Sequence, residues 1–130
     1  MGTAYQFMVV DDDPTNNLIC KLTIQRAVSD AKVSLYTDPT IALEEIRSMT
    51  DSTALQTVIL LDINMPEMTG WEFLESYSTF SDDIREKYII YIVSSSVDQR
   101  DQTRAEGNPL VKGFISKPVK LDFLRDIIPA

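Results

Sequence analysis

Short runs of apolar residues alternate along the chain with longer segments that have a helical pattern. These runs are rich in β-branched and aromatic residues: Tyr5–Val10, Val58–Asp62, Tyr88–Ser94 and Gly113–Ser116. A fifth run, Lys32–Tyr36, has a weaker strand pattern. Several are apolar at consecutive positions, which is typical of strands covered on both faces of a parallel sheet. The pattern therefore predicts five parallel strands.

The segments between these runs carry helix signals. Asp13-Pro14 and Asp38-Pro39 each place a capping residue before a proline at the first helical position. The helical spacing of the following positions, which are apolar apart from Glu45, then predicts the inner face of each helix: Leu18, Ile19 and Leu22; Ile41, Ala42, Glu45, Ile46 and Met49; Trp71, Leu74 and Tyr77; and Leu121, Leu124, Ile127 and Ile128. A further segment, 98–106, is polar and weakly amphipathic. Strand and helix thus alternate five times.

This alternation predicts an α/β fold with right-handed crossovers and a doubly wound sheet. With 130 residues and no internal repeat or linker, the chain is expected to form one domain over 1–130. We expect its core to cover about 5–128, with no output domain.

Composition excludes several classes of function. The chain has no histidine, which excludes histidine zinc sites, Ser-His or Cys-His catalytic pairs and a role as a phosphohistidine donor. The net charge of −8 disfavours binding to a nucleic-acid backbone. Cys20 is the single cysteine, so no intramolecular disulfide forms, and no run is long enough to span a membrane. We therefore expect a cytoplasmic protein.

Polar side chains gather where the predicted strands end. In an open α/β sheet the carboxyl ends of the strands form one rim, and here they carry Asp11, Asp12 and Asp13, Asp62 and Asn64, Ser94, Ser95 and Ser96, and Lys117-Pro118. Crowded carboxylates call for a hard divalent cation such as Mg²⁺, and Lys117 adds a positive charge suited to a phosphoryl group. Asp13 is interpreted as a helix cap and not as a metal ligand.

Three segments carry a resemblance to a known family. FMVVDDD (Phe7–Asp13), LLDINMPEMTG (Leu60–Gly70) and GFISKP (Gly113–Pro118) resemble the receiver domains of two-component response regulators. The likeness covers nearly the whole chain, and the middle segment together with the Lys-Pro pair is its most specific part. It implies a single-domain, chemotaxis-regulator-like receiver with the flavodoxin-like (βα)5 fold and strand order 2-1-3-4-5.

The resemblance also implies roles for the acidic rim. Asp62 would be the phosphorylated carboxylate and a ligand of Mg²⁺. Asp12 would bind the metal directly, Asp11 directly or through water, and Asn64 through its main-chain carbonyl. Since the chain has no histidine, the phosphoryl group would come from a histidine kinase or a histidine phosphotransfer protein. The chain itself would not be an enzyme, beyond catalysing its own phosphorylation and dephosphorylation.

A switch is implied by the same resemblance. Ser94 and Lys117 would hold the phosphoryl oxygens, and the inward movement of Ser94 would leave space for Phe114, at the position of the family's switch aromatic. A downstream protein would read the change on the face formed by 98–128. The Lys117-Pro118 peptide bond is expected to be cis.

Some positions depart from the family pattern, and other hypotheses for the function remain open. Thr69 stands where aspartate is common, Ser94 replaces threonine, and 106–112 carries a proline in place of an alanine-glycine-alanine run. Asn64 and Ser96 occupy positions that influence self-dephosphorylation in the family. The main alternative is a receiver-like interaction module that is not phosphorylated.

Two further alternatives fit less well. A phosphatase of the haloacid-dehalogenase kind needs a second acid where Asn64 stands. A flavodoxin-like cofactor binder needs a first loop that cradles phosphate, which Asp11, Asp12 and Asp13 would repel.

Overall fold

The computed structural model describes residues 6–48, 56–95 and 98–127. Tyr5, Met49, Ser96 and Ile128, which the sequence analysis assigned to elements or to the site, lie outside these ranges. The strands are β1 (Gln6–Val10), β2 (Lys32–Tyr36), β3 (Thr57–Asp62), β4 (Tyr88–Ser94) and β5 (Val111–Ser116). The helices of the described residues are α1 (Pro14–Ala27), α2 (Pro39–Arg47), α3 (Gly70–Tyr77), α4 (Asp82–Arg85), α5 (Gln99–Glu106) and α6 (Leu121–Ile127).

The five strands form one parallel sheet in the order β2-β1-β3-β4-β5. This confirms the predicted doubly wound α/β fold and its strand order. All six residues of β3 are buried, because helices cover both faces of the sheet and alternate side chains enter opposite layers. Ile59 and Leu61 join one apolar cluster, and Val58 and Leu60 join the other.

Two helical layers enclose the sheet. The first cluster includes Ile46 of α2 and Phe73 of α3, and the second includes Ile24 of α1 and Leu124 of α6. Since β1 and β3 are adjacent at the centre, their carboxyl ends lie side by side at the rim between these layers.

The predicted inner face of α1 is wrong. Its members are 52, 49 and 53% exposed, in the order Leu18, Ile19 and Leu22. The helix instead buries Asn17, Cys20 and Ile24, whose spacing of three and four residues marks a different stripe. The physical reason is that Asn17 forms hydrogen bonds to the ends of β1 and β2, and these bonds set the rotation of the helix.

The other helices follow the sequence pattern with smaller corrections. In α2, Ala42 and Ile46 are buried as predicted, but Ile41 and Glu45 are exposed. Leu74 and Tyr77 of α3 are buried, whereas Trp71 is only half-buried. The short helix α4 was not predicted, because four residues are too few to show an amphipathic pattern.

Local caps begin the helices where the sequence indicates. The Asp13 carboxylate accepts a hydrogen bond from Thr15 N at 2.9 Å, and Asp38 does the same for Thr40 N at 2.9 Å. Thr69, at the position where the family pattern has aspartate, forms a reciprocal capping box with Glu72 at the start of α3. The interpretation of Asp13 as a helix cap is therefore confirmed.

Candidate functional site

Three carboxylates meet at the centre of the rim. Asp11 follows β1 directly and Asp62 ends β3, so these adjacent parallel strands bring the two side chains together. Together with Asp12 they offer carboxylate oxygens that all lie within 4.8 Å of one another. Asp11 and Asp62 are each only 5% exposed, while Asp12 is the most exposed of the three. The predicted acidic cluster is therefore assembled by the fold.

Lys117 crosses the rim to reach this cluster. It follows β5, and its Nζ lies 2.7 Å from Asp11 Oδ2 and 3.5 Å from Asp62 Oδ1. Its main-chain N–H donates to the Ser94 carbonyl at 3.0 Å, which ties its backbone to the end of β4. The Lys117-Pro118 peptide bond is cis, as the resemblance implied.

Burial and charge shape the ionisation of the site. Burial raises the pKa of Asp62, and Lys117 opposes this effect while the Asp11 charge adds to it. Burial lowers the pKa of Lys117, but the hydrogen bond that its ammonium donates to Asp11 and the charge of Asp62 outweigh burial, so that its pKa is raised overall. One ammonium thus faces three carboxylates, and this excess of negative charge with oxygen ligands suits Mg²⁺.

Asn64 and Ser94 complete the wall of the site on the β4 side. The Asn64 main-chain N–H donates to Asp62 Oδ1 at 3.3 Å, and its side-chain amide lies 3.5 Å from Ser94 Oγ. Ser94 is fully buried. The fold therefore brings the Asn64 backbone to the Asp62 carboxylate and the Ser94 hydroxyl to the Asn64 side chain. Ligation through the Asn64 carbonyl stays a prediction.

A glycine allows α3 to begin against the loop after Asp62. Gly70 N donates to the Ile63 carbonyl at 3.1 Å. A Cβ at Gly70 would lie 2.8 Å from Ile63 Cα and 2.9 Å from the Asp62 carbonyl oxygen. These distances are below van der Waals contact, so a side chain there would displace the backbone that carries Asp62.

Phe114 lies on the same face of the sheet as Ser94. In the β4–β5 register, Phe114 is opposite Ile92, and Ser94 follows Ile92 by two residues. Residues two apart on a strand point to the same face. The Phe114 ring is half-buried and packs against the cluster that contains Ile92. The hydroxyl and the ring are therefore positioned along one face, although their role as a switch stays a prediction.

Asn17 belongs to the site and was missed by the sequence analysis. It is 1% exposed, and its Nδ2 donates to the carbonyls of Asp11 at 3.0 Å and Tyr36 at 3.2 Å. The signal that identifies it is its spacing, because Asn17 precedes Cys20 by three residues and Ile24 by seven, on one helical stripe.

A cavity of about 320 Å³ adjoins the carboxylates and opens between α1 and the segment after β5. Its walls are formed by the charged residues Asp11, Asp62 and Lys117 and by the side chains of Ile19 and Cys20. Burial, with a contribution from the Asp11 charge, raises the pKa of the Cys20 thiol to about 12. This thiol is therefore not a nucleophile at neutral pH, and the chemistry of the cavity resides in the carboxylates and the ammonium group.

Comparisons with known proteins agree with this geometry. Residues 7–129 match the family model described as response regulator receiver domain. The structure resembles that of a response regulator receiver protein from Dyadobacter fermentans, with 28% identity, coverage of 95% of this chain and 94% of that one, and a TM-score of 0.87. It also resembles a two-component response regulator from Cytophaga hutchinsonii, with 26% identity, coverage of 96% of this chain and 94% of that one, and a TM-score of 0.86.

A more distant structure supports the fold alone. The chemotaxis response regulator CheY4 of Vibrio cholerae is 21% identical, with coverage of 95% of each chain and a TM-score of 0.73. No curated protein sequence matches the chain. None of the helices in the described ranges is long and apolar enough to span a membrane.

Proposed function

The chain belongs to the response regulator receiver domain family, and on that premise we propose that Asp62 accepts a phosphoryl group from a phosphohistidine donor in the presence of Mg²⁺. Receiver domains of this family act in phosphoaccepting two-component signalling. One observation carries the assignment to Asp62: its buried carboxylate lies within 4.8 Å of the oxygens of Asp11 and Asp12 and 3.5 Å from the Lys117 ammonium.

The acceptor faces an electrostatic difficulty that the neighbouring residues reduce. A carboxylate oxygen of Asp62 attacks phosphorus, and the phosphorus–nitrogen bond to the donor imidazole breaks, with its electron pair passing to nitrogen. Lys117 places a positive charge where the phosphoryl oxygens gather, which offsets their repulsion by the carboxylates. The carboxylates of Asp11, Asp12 and Asp62, with the Asn64 carbonyl, would hold Mg²⁺, which supplies further positive charge and alignment.

The new phosphoryl group would be sensed by the wall of the site. The Ser94 hydroxyl would donate a hydrogen bond to a phosphoryl oxygen and move toward Asp62. The Phe114 ring, on the same face of the sheet, would then fill the space that Ser94 leaves. This change in packing would alter the face formed by 98–128, where a downstream protein would bind.

The donor would dock on α1. Leu18, Ile19 and Leu22 form an exposed apolar face on this helix, and Ile19 also lines the cavity next to Asp11 and Asp62. Exposed apolar clusters mark interaction surfaces. The family generally interacts with histidine kinases or phosphotransfer proteins, and a donor that covers this face would have its histidine beside the acceptor.

The chain would turn over no separate substrate, and its only reactions would be its own phosphorylation and dephosphorylation. The proposal is tested by intact mass after incubation with a small phosphodonor and Mg²⁺. A gain of one phosphoryl group is expected, with loss of the gain in Asp62→Asn and in EDTA. Asp13→Asn is the matched control, because Asp13 caps α1 and is not a proposed ligand. No gain from folded wild-type protein, with its own kinase also supplied, would favour an unphosphorylated interaction module.

A further inference from the structure

Burial of apolar surface alone does not explain the orientation of α1. The helix buries Asn17, which is 1% exposed, and turns Leu18 and Ile19 outward at 52 and 49%. A rotation chosen only for hydrophobic burial would do the opposite. The contacts of Asn17 therefore have to account for the way this helix sits on the sheet.

Asn17 joins three elements through one amide group. Its Nδ2 donates to the carbonyl of Asp11 at 3.0 Å and to that of Tyr36 at 3.2 Å. The Asp11 N–H donates to the same Tyr36 carbonyl at 3.0 Å. Because both partners are carbonyl oxygens, the NH₂ group must face them, and the orientation of the amide follows.

The remaining oxygen of this amide indicates that the contact has a cost. Asn17 Oδ1 is buried and has no hydrogen-bond partner among the residues that the structure describes. A buried polar atom without a partner lowers folding stability, and each one in a native structure requires an explanation. The chain tolerates this atom at the place where Nδ2 holds the Asp11 carbonyl.

The Asp11 carbonyl is part of the peptide group that leads to Asp12. Since a peptide group is planar, holding its oxygen also orients its N–H and the direction in which Asp12 leaves β1. The side chain of Asp11 has its own anchors, Lys117 Nζ at 2.7 Å and Asp13 N at 2.9 Å. In the part of the chain that the structure describes, no hydrogen bond holds the Asp12 carboxylate. Its position depends on the main chain.

We propose that Asn17 is a positioning residue for the metal site: its amide holds the Asp11–Asp12 peptide so that the Asp12 carboxylate meets those of Asp11 and Asp62. This inference rests on the proposed function, because it gives Asn17 a role only where these carboxylates bind Mg²⁺. Asn17 does not contact the metal in this proposal and acts only through the peptide group.

The test compares Mg²⁺ affinity by calorimetry, without a phosphodonor, in the wild type, Asn17→Leu and Asn17→Ala. Both variants lose the amide donor, and Leu keeps the branching of the side chain at Cγ. We expect Mg²⁺ to bind roughly tenfold more weakly in each, the size of effect typical of groups that orient metal ligands. Ile24→Val is the matched control, because Ile24 is fully buried on the same stripe of α1 and affects packing alone.

A second readout separates positioning from general destabilisation. In phosphorylation assays, Asn17→Leu should need more Mg²⁺ for half-maximal rate, while its rate at saturating Mg²⁺ stays near that of the wild type. If Asn17→Leu does not fold, the comparison rests on Asn17→Ala. Mg²⁺ affinity in the folded Asn17 variants no lower than in Ile24→Val would overturn the role of Asn17 and leave the proposed function intact. A wild type that binds no Mg²⁺ would refute the proposed metal site, and this inference with it.

Discussion

Replacement of Lys117 by methionine tests the electrostatic balance of the site most directly. The substitution keeps an unbranched side chain of similar length but removes the ammonium, which lies 2.7 Å from Asp11 Oδ2 and 3.5 Å from Asp62 Oδ1. The two carboxylates would remain buried beside Asp12 with no positive partner from Lys117. We therefore expect Lys117→Met to be less stable than the wild type in Mg²⁺-free buffer.

The size of the loss follows from burial. Opposite charges about 4 Å apart attract by ~4 kcal/mol at an effective dielectric constant of ~20, but most of this gain is offset by desolvation. Removing one member of a buried pair typically costs ~3–5 kcal/mol. Because the Lys117 side chain is 19% exposed, against 6% for each carboxylate, solvent screens part of the interaction. We expect a loss of about 3 kcal/mol at neutral pH, at the low end of that range.

The pH dependence gives the reasoning a second check. Burial raises the pKa of Asp62 above its ordinary value of 3.8, so the charged carboxylate disfavours the folded state, and this penalty develops as the pH rises from 3.8 to the raised pKa and is full above it. Without Lys117, which lowers this pKa, the penalty grows. The difference between Lys117→Met and the wild type should therefore be largest near neutral pH and shrink in acid. The stabilisation from Lys117 itself, whose pKa is raised above 10.5, would be lost only in strong alkali.

Urea unfolding in EDTA, repeated from neutral to acid pH, measures this difference. Lys120→Met serves as the control, because Lys120 is an exposed lysine three residues away. Added Mg²⁺ should restore part of the stability of Lys117→Met but not its phosphorylation. A loss of less than about 0.5 kcal/mol, the range of ordinary surface substitutions, would refute the argument that this ammonium compensates the buried carboxylates.

Three further predictions follow from the site. Asp62→Asn should raise the midpoint of urea unfolding in Mg²⁺-free buffer, because burial raises the pKa of Asp62 and disfavours its charge. The gain in stability should be full above that pKa and vanish below pH 3.8, and an equal gain at acid and neutral pH would contradict this cause. Phe114→Ala should leave phosphorylation intact and weaken binding of a downstream protein, and unchanged affinity for that protein would count against the switch. Gly70→Ala should lower stability by ~1–3 kcal/mol in thermal unfolding, since its Cβ would lie 2.8 Å from Ile63 Cα; a stability equal to that of the wild type would show that the loop gives way freely.

Much of the architecture could be predicted because its signals are local. Consecutive apolar residues in β3 indicate a strand buried on both faces, and the structure buries all six. Asp13 and Asp38 precede prolines and cap their helices as expected. The order of strands and helices then places Asp11, Asp62, Ser94 and Lys117 at one rim, because parallel strands end on the same edge.

The main failure concerns α1, whose orientation depends on contacts between distant segments. The pattern of α1 favoured Leu18, Ile19 and Leu22 as the buried face, yet the helix is rotated so that Asn17 reaches carbonyls at the ends of β1 and β2. Local hydrophobicity does not contain this information, since Tyr36 is 19 residues away from Asn17. The four residues of α4 were missed for a different reason, because one helical turn shows no periodicity.

The sequence by itself determined which groups stand at the strand ends, since the alternation of strand and helix and the chemistry of each side chain are encoded residue by residue. Only the tertiary structure decided how those groups act together. Lys117 lies 2.7 Å from Asp11, 106 residues earlier in the chain, and the burial that raises the pKa of Asp62 comes from packing of the whole sheet. Charge interactions and desolvation depend on distance and burial in space, and these exist only once the chain has folded.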